Sequence, residues 1–191
     1  MSTRIGILSD THMPGELRAL WDEVWVAFAG VDLILHSGDI VHPIVLDQLE
    51  ARAPVVAALG NNDFCANDAR VKMTQWLDIE GFRLAMVHDM EPEDEPIDDL
   101  CRKYLKGERP DVIVTGHTHY ERMDFRDGVL QVNSGSPTHP HLWSTRLGTV
   151  AVLDLGPGSL KANIVRLGET EGRRNPGIEF VFDGESVSRL G

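Results

Sequence analysis

Two apolar runs in this sequence each end at a pair of residue types that bind divalent metals. Residues 5–9 lead into Asp10 and His12, and residues 112–115 lead into His117 and His119. In α/β proteins, sites form at the carboxyl ends of buried strands, because rigid strands hold the side chains that the following loops expose. These pairs, from distant parts of the sequence, therefore predict one metal centre assembled by the fold.

Three further apolar runs end in residues that can bind a divalent cation. Asp39 follows residues 31–35, Asn61 follows residues 55–59, and His88 follows residues 83–87. Imidazole nitrogens combined with carboxylate and amide oxygens favour Mn, Fe, Zn, Ni or Co over Mg and Ca, which prefer shells of oxygen alone. The predicted metal ligands are Asp10, His12, Asp39, Asn61, His88, His117 and His119.

Strand-like and helix-like segments alternate along the part of the chain that must position these residues. Residues 16–28 carry apolar side chains at helical spacing, and similar patterns begin at Pro43 and near Ile97. Alternation over the first 115 residues predicts a largely parallel sheet. Three predicted strand pairs follow, with turns at residues 127–128, 156–158 and 183–184.

Composition and charge limit the class of protein. The 191 residues suffice for one full domain. We expect it to span residues 1–167, with a linker and β-hairpin extension at 168–191 that folds onto the same domain or contacts a second subunit. A net charge of −12 disfavours a nucleic-acid polymer as partner. No membrane-spanning or signal-peptide pattern is found, and the isolated Cys65 and Cys101 are typical of a reducing cytoplasm.

The order of these motifs resembles that of the calcineurin-like metallophosphoesterases. Their pattern is D-x-H, G-D, G-N-[HC]-[DE], a strand that ends in His, and G-H-x-H. The corresponding residues here are 10–12, 38–39, 60–63, 88 and 116–119. The short chain is most similar to the compact bacterial and archaeal phosphodiesterase branch, and the resemblance covers roughly residues 4–155.

This resemblance implies a fold, two metals and a reaction. The fold is a four-layer α/β/β/α sandwich with two mixed β-sheets. Asp10, His12, Asp39 and His119 would surround one divalent transition metal, and Asp39, Asn61, His88 and His117 the other. Mn is the favoured metal, with Fe, Zn, Ni and Co as alternatives. The implied reaction is hydrolysis of a small phosphodiester or phosphomonoester, through attack of a metal-bridging hydroxide on phosphorus.

Two positions depart from the family pattern. Many members carry a proton-donating His where this chain has Asn62, and Gly where it has Asp89. We therefore assign Asn61 and Asn62 as the catalytic residues and favour a phosphodiester, with Asn62 placed to donate a hydrogen bond to a phosphoryl oxygen. The alternative function is a non-catalytic metal-binding scaffold of the same fold, as in the retromer subunit of this superfamily.

The remaining histidines have more ordinary interpretations. His36 is favoured as a core or supporting residue, and His42 as a helix cap or an exposed side chain. Residues 133–137 read as a structural turn. For His139 and His141, which follow this turn, a structural position is favoured over one that lines the pocket.

Overall fold

The structure is a computed structural model that describes residues 2–64, 67–143 and 145–190. Cys65 lies outside the described residues. The strands are β1 (Thr3–Leu8), β2 (Leu33–His36), β3 (Val55–Ala58), β4 (Val71–Lys72), β5 (Thr74–Ile79), β6 (Phe82–Val87), β7 (Val112–Thr115), β8 (Glu121–Arg126), β9 (Val129–Ser134), β10 (Thr149–Gly156), β11 (Ser159–Arg166), β12 (Glu179–Phe182) and β13 (Val187–Leu190). The helices are α1 (Asp22–Ala27), α2 (Ile44–Glu50) and α3 (Ile97–Tyr104), and a short turn spans Pro140–Leu142.

The strands form two mixed sheets. The first has eight strands in the order β13-β12-β11-β10-β1-β2-β3-β4, and the second has five in the order β5-β6-β7-β9-β8. In the first sheet, β1 pairs in parallel with β2 and antiparallel with β10. In the second, β6 and β9 both pair in parallel with β7, and β8 completes an antiparallel hairpin with β9.

Three clusters of buried apolar side chains separate four layers. One cluster packs α1 and α2 against the first sheet, a second fills the space between the two sheets, and a third packs α3 against the second sheet. The strands contribute alternate residues to opposite sides, since successive strand side chains point to opposite faces. Thus Ile5 and Ile7 of β1 lie between the sheets, whereas Leu8 faces the helices. The predicted four-layer α/β/β/α sandwich is confirmed.

Gly6 of β1 determines how closely α1 approaches the first sheet. A Cβ atom on Gly6 would lie only 2.9 Å from ring carbons of Phe28, which comes just after α1. A larger residue at position 6 would push the ring and the helix away from β1. Because β1 ends next to Asp10 and His12, this packing supports the strand that carries two of the predicted ligands.

Several predicted elements differ from those observed. Helix α1 begins at Asp22 rather than at residue 16, and the turns before it still bury Leu20 against the sheet. Asp22 and Glu23 favour a helix start here, because negative charge is stabilising at a helix N-terminus. Strand–helix alternation was also wrong for residues 55–87, because β3, β4, β5 and β6 follow one another with no helix among the residues described there, 55–64 and 67–87.

The predicted hairpins at β8–β9 and β10–β11 are confirmed, as is the final strand pair. The final pair extends the first sheet, because β12 is hydrogen-bonded to β11. On this basis we propose that residues 168–191 belong to the same domain as residues 1–167. Within the part of the chain that the structure describes, no helix has the length and apolar character needed to cross a membrane.

Candidate metal centre

The predicted ligands lie just after strands of both sheets. In the first sheet, β1 is followed by Asp10 and His12, β2 by Asp39, and β3 by Asn61. In the second sheet, His88 directly follows β6, and His117 and His119 follow β7. The structure brings all seven together, since each has a ligand-type atom within 3.7 Å of a ligand-type atom of another.

One part of this group is formed by Asp10, His12 and His119. The Nε2 atoms of His12 and His119 lie 3.1 Å apart, and His119 Nε2 lies 3.7 Å from Asp10 Oδ1. The backbone N–H of His117 donates hydrogen bonds to both carboxylate oxygens of Asp10, at 3.2 and 3.0 Å. Asp10 is fully buried and His119 nearly so. These three side chains could hold one metal ion.

The opposite part is formed by Asn61, His88 and His117. The amide oxygen Oδ1 of Asn61 lies 3.0 Å from Nε2 of His88 and 3.0 Å from Nδ1 of His117. His88 is buried, whereas Asn61 is exposed and His117 partly so. The amide oxygen thus faces two imidazole nitrogens on the solvent-accessible side of the group.

Asp39 connects the two parts. Its Oδ2 atom lies 3.4 Å from Nε2 of His12, and its Oδ1 atom lies 3.4 Å from Nε2 of His88. Each oxygen of one carboxylate therefore faces a different set of imidazoles. A carboxylate in this position could contact two cations at once, as in two-metal hydrolytic sites where the ions are roughly 3.5–4 Å apart.

The spacing of these atoms fits a coordination shell. Transition metals bind nitrogen and oxygen at about 2.0–2.2 Å, so two ligands of one ion lie about 3–3.5 Å apart. Five pairs of ligand-type atoms in this group are 3.0 to 3.4 Å apart, which falls in that range. They join His12 to His119, Asn61 to His88, Asn61 to His117, Asp39 to His12, and Asp39 to His88. The mixed nitrogen and oxygen set suits divalent transition ions better than Mg or Ca.

The backbone is strained at most of these positions. The φ angles of Asp10, His12, Asp39, His117 and His119 are 55°, 46°, 55°, 71° and 60°. Residues other than glycine seldom adopt this left-handed region, and such strain persists at functional sites because the surrounding structure enforces it. The strain is therefore concentrated at the residues whose side chains converge.

Hydrogen bonds to backbone carbonyls fix the imidazole tautomers. Nδ1 of His88 lies 2.8 Å from the carbonyl oxygen of Ser37, and Nδ1 of His119 lies 2.8 Å from that of His139. A carbonyl oxygen can only accept, so each Nδ1 must carry the proton. Nε2 then keeps its lone pair and is free to bind a metal, an arrangement that is common among metal-ligating histidines.

Burial keeps the imidazoles neutral. It lowers the pKa of His12 and His88, and it lowers that of His119 to about 4. Neutral imidazole is the form that binds metal. At neutral pH these side chains are therefore already in the required state.

The two carboxylates differ in pKa. Burial acts to raise the pKa of Asp39, but two hydrogen bonds from Asn62 and the nearby histidines outweigh it, and the net shift is downward. Burial, together with the charge of Asp39, raises the pKa of Asp10 well above its usual range. A cation beside Asp10 would offset that cost and keep the carboxylate ionised.

The catalytic assignments from sequence lie beside this group in different roles. Asn61 faces the imidazoles, whereas the Asn62 side chain donates to Oδ2 of Asp39 at 2.6 Å. The Asn62 amide thus contacts Asp39, and Asn62 also lines the cavity beside the metal-ligand group. Asp89 accepts a hydrogen bond from the backbone N–H of Glu91 and is exposed.

Of the other histidines, His139 is the one that the sequence interpretation misplaced. It lines the cavity of about 490 Å³ above the metal-ligand group, together with Leu142. Ser136 and Thr138 hold this loop, since their hydroxyl groups donate to the carbonyl oxygens of Asp10 and Thr11 at 2.8 and 2.9 Å. The structural role predicted for residues 133–137 fits these contacts. No sequence pattern indicated that the His139 side chain would line the cavity.

His36 and His42 have the ordinary positions that were expected. His36 is fully buried, and Nδ1 of His42 accepts a hydrogen bond from the backbone N–H of Ile44 at the start of α2. His141 is directed at Glu121, with Nε2 3.0 Å from Oε2.

A family model for the calcineurin-like phosphoesterase superfamily domain matches residues 3–158, so the chain belongs to that superfamily. A "probable metallophosphoesterase" of Methanothermobacter thermautotrophicus is 36% identical over 168 residues, which is 86% of this chain and 92% of the relative. A phosphodiesterase of Methanocaldococcus jannaschii is 28% identical over 169 residues, which is 79% of this chain and 92% of that relative.

Solved structures share the fold. Vps29 of Cryptosporidium parvum superimposes with a TM-score of 0.75 at 17% identity, over 100% of this chain and 98% of that one. Vps29 of Entamoeba histolytica, solved in complex with zinc, has a TM-score of 0.69 at 18% identity, over 98% and 97% of the two chains. At these identities the likeness concerns the fold alone.

Proposed function

We propose that this protein is a phosphodiesterase that uses two divalent transition metals, with Mn favoured, to hydrolyse a small phosphodiester. The observation that carries the proposal is the position of Asp39, whose two oxygens face His12 and His88 at 3.4 Å each. Family membership and the metallophosphoesterase relatives support the reaction class. We place the reaction in the cytoplasm, consistent with the buried, unpaired Cys101.

Each predicted ligand would have a defined task. Asp10, His12, Asp39 and His119 would hold one ion, and Asp39, Asn61, His88 and His117 the other. Such ions supply positive charge for the phosphoryl oxygens and lower the pKa of a bound water from 15.7 toward roughly 7. Ser37 and His139 hold His88 and His119 in the metal-binding tautomer through their carbonyl oxygens.

The proton for the leaving group is the part of the reaction that the residues supply least well. Asn62 has no acidic proton, and its amide is bound to Asp39. Catalysis should therefore be best with esters whose leaving group needs no protonation, such as p-nitrophenolate. This also supports a diester in preference to a monoester.

The test compares Asp39→Asn with the control Asp154→Asn. The carboxylate of Asp154 is partly exposed and is paired with Arg4, near the start of β1 and so at the end of that strand opposite to Asp10. Turnover of bis-p-nitrophenyl phosphate is measured with Mn, Ni, Co and Zn, and bound metal is counted by elemental analysis. We expect two metals in the wild type and in Asp154→Asn, and loss of metal with at least a 10³-fold loss of kcat/KM in Asp39→Asn, roughly the effect of removing a key electrostatic group. Wild-type turnover in Asp39→Asn would refute the proposal.

The second candidate function is a metal-binding scaffold without turnover. It is supported by the residue type at Asn62, an amide without an acidic proton that contacts Asp39, and the fold is also that of the Vps29 proteins. Metal-loaded protein that remains inactive with every one of these four metals would favour the scaffold.

A further inference from the structure

A second cavity adjoins the candidate metal centre. Its volume is about 480 Å³, and it is lined by Glu91, Glu93, His117, Thr118, Tyr120 and Leu142. His117 and Leu142 line both this cavity and that of the metal centre. The second cavity therefore borders that of the candidate metal centre, and it is large enough for a small organic group.

Tyr120 forms an aromatic platform in this cavity. One face of its ring is stacked on His141, with ring centres 4.3 Å apart and planes 17° from parallel. Nε2 of His141 is in turn held by both carboxylate oxygens of the buried Glu121, at 3.0 and 3.1 Å. Tyr120 nevertheless remains 49% exposed. The other ring face is thus preorganised for stacking, which reduces the entropy cost of binding.

Leu142 is held at the boundary between the two cavities. It is 68% exposed, and both it and His141 have left-handed backbone conformations, with φ of 60° and 54°. The backbone N–H of His141 donates to the carbonyl oxygen of His119 at 3.0 Å. An exposed leucine held in a strained turn that is tied to a predicted ligand is difficult to explain by stability alone.

The charge of the second cavity restricts what it can hold. Glu91 and Glu93 contribute carboxylates to its wall. The nearest cation to Glu93 is Arg122, at 3.9 Å, and Arg122 is also paired with Asp94 and Asp124 at 2.5 Å each. A second anionic group would be repelled here, whereas the N–H groups of a neutral ring could donate to these carboxylates.

We propose that the second cavity binds the non-reacting ester group of a phosphodiester, and that this group is an uncharged planar aromatic ring, such as a nucleobase, stacked on Tyr120. The inference rests on the proposed function. Stacking of a base on an aromatic side chain corresponds to a preference of roughly 5- to 150-fold. Tyr120 is therefore the specificity-determining residue.

The test uses two diesters with the same leaving group, phenyl p-nitrophenyl phosphate and methyl p-nitrophenyl phosphate, with metal-loaded protein. We expect the wild type to favour the phenyl ester by at least roughly 5-fold in kcat/KM. Tyr120→Phe should keep this preference, since it keeps the ring. Tyr120→Leu should reduce the ratio of kcat/KM for the phenyl ester to that for the methyl ester to near one.

A binding measurement that needs no turnover accompanies the kinetics. Calorimetric titration with phenylphosphonate and methylphosphonate should show the same preference, and Tyr120→Leu should abolish it. Equal affinity and equal kcat/KM for the two members of each pair in the wild type would overturn the inference, as would a preference unchanged in Tyr120→Leu. If neither diester is hydrolysed, the proposed function fails, and the titration alone then decides whether the aromatic subsite exists.

Discussion

Asn62 binds Asp39 at both carboxylate oxygens. Its backbone N–H donates to Oδ1 at 2.9 Å, and its side-chain amide donates to Oδ2 at 2.6 Å. The same two oxygens face His88 and His12. Asn62 therefore orients the carboxylate on which the proposed metal centre depends, and its contact with substrate stays a prediction.

Asn62→Ala should weaken metal binding. The substitution removes the side-chain hydrogen bond but leaves the backbone one, so Asp39 loses part of what holds its orientation and lowers its pKa. Loss of a residue that orients a metal ligand typically costs roughly 10- to 100-fold in metal affinity. Competition with a metal indicator measures this, with the exposed Asn67→Ala as the matched control. Equal affinity in both variants would show that Asn62 does not orient Asp39.

Gly60→Ala should disrupt the centre, whereas Gly156→Ala should not. A Cβ atom at Gly60 would overlap the backbone nitrogen and Oδ1 of Asp39, but one at Gly156 would meet nothing within 4 Å. Forced overlap in a packed region costs roughly 1–3 kcal/mol, and the backbone of β2–β3 would have to move. We expect reduced unfolding free energy and lost metal binding only in Gly60→Ala. Denaturant unfolding measures the free energy, and elemental analysis measures the bound metal. Equal unfolding free energy and equal metal content in the two variants would contradict the prediction.

Metal should be retained well below the usual pKa of histidine and lost near pH 4. Imidazole must be neutral to bind, and burial holds the pKa of His119 at about 4 and lowers those of His12 and His88. Protein equilibrated at pH 7.5, 5.5 and 3.5 should keep its metal at the first two values and lose it at the third. Full metal content at pH 3.5 would argue against histidine ligation.

His36 should make the metal-free protein less stable in acid. Burial and the adjacent His88 lower its pKa from 6.5 to about 3, and Nδ1 already accepts the backbone N–H of Gly38. The unfolded chain binds the extra proton between these values, so the unfolding free energy falls as pH decreases from 6.5 toward 3. The slope from one such group is at most about 1.4 kcal/mol per pH unit.

The measurement is urea unfolding of chelator-treated protein at pH 7.0, 6.0 and 5.0. His12, His88 and His119 act in the same direction and Asp10 in the opposite one, so the contribution of His36 is taken from His36→Asn. This variant should lose stability less steeply with acid than the wild type. Parallel profiles for the two proteins would mean that His36 is protonated equally in the folded and unfolded states.

The candidate ligands could be predicted from sequence because their signals are local. Each lies within a few residues of the end of a short apolar run, as Asp10 does after β1 and His88 after β6, and strand ends in such a fold converge at one edge. The turns at residues 127–128 and 156–158 were recognisable for the same reason, since a few residues determine a hairpin. Family membership, fold class and the set of candidate ligands therefore follow from short segments in a fixed order.

Two elements were missed or misplaced because their local signals are weak or misleading. The two-residue turn at Glu80 and Gly81 joins β5 to β6 with φ of 52° and 89°, but Glu-Gly is a weaker hairpin signal than Asn-Gly, and β5 was missed. The start of α1 was misplaced because apolar spacing continues through turns that are not helical.

The sequence by itself determined which residues are available for metal binding and the family to which the chain belongs. Only the tertiary structure decided how they face one another. Asn62 meets Asp39 across 23 positions, and Tyr120 meets His141 across 21. Asp39 and Asn62 follow the neighbouring strands β2 and β3, and Tyr120 and His141 lie on either side of the neighbouring strands β8 and β9. Both contacts therefore depend on how strands pair and on the paths of the loops beyond them, which no single segment encodes.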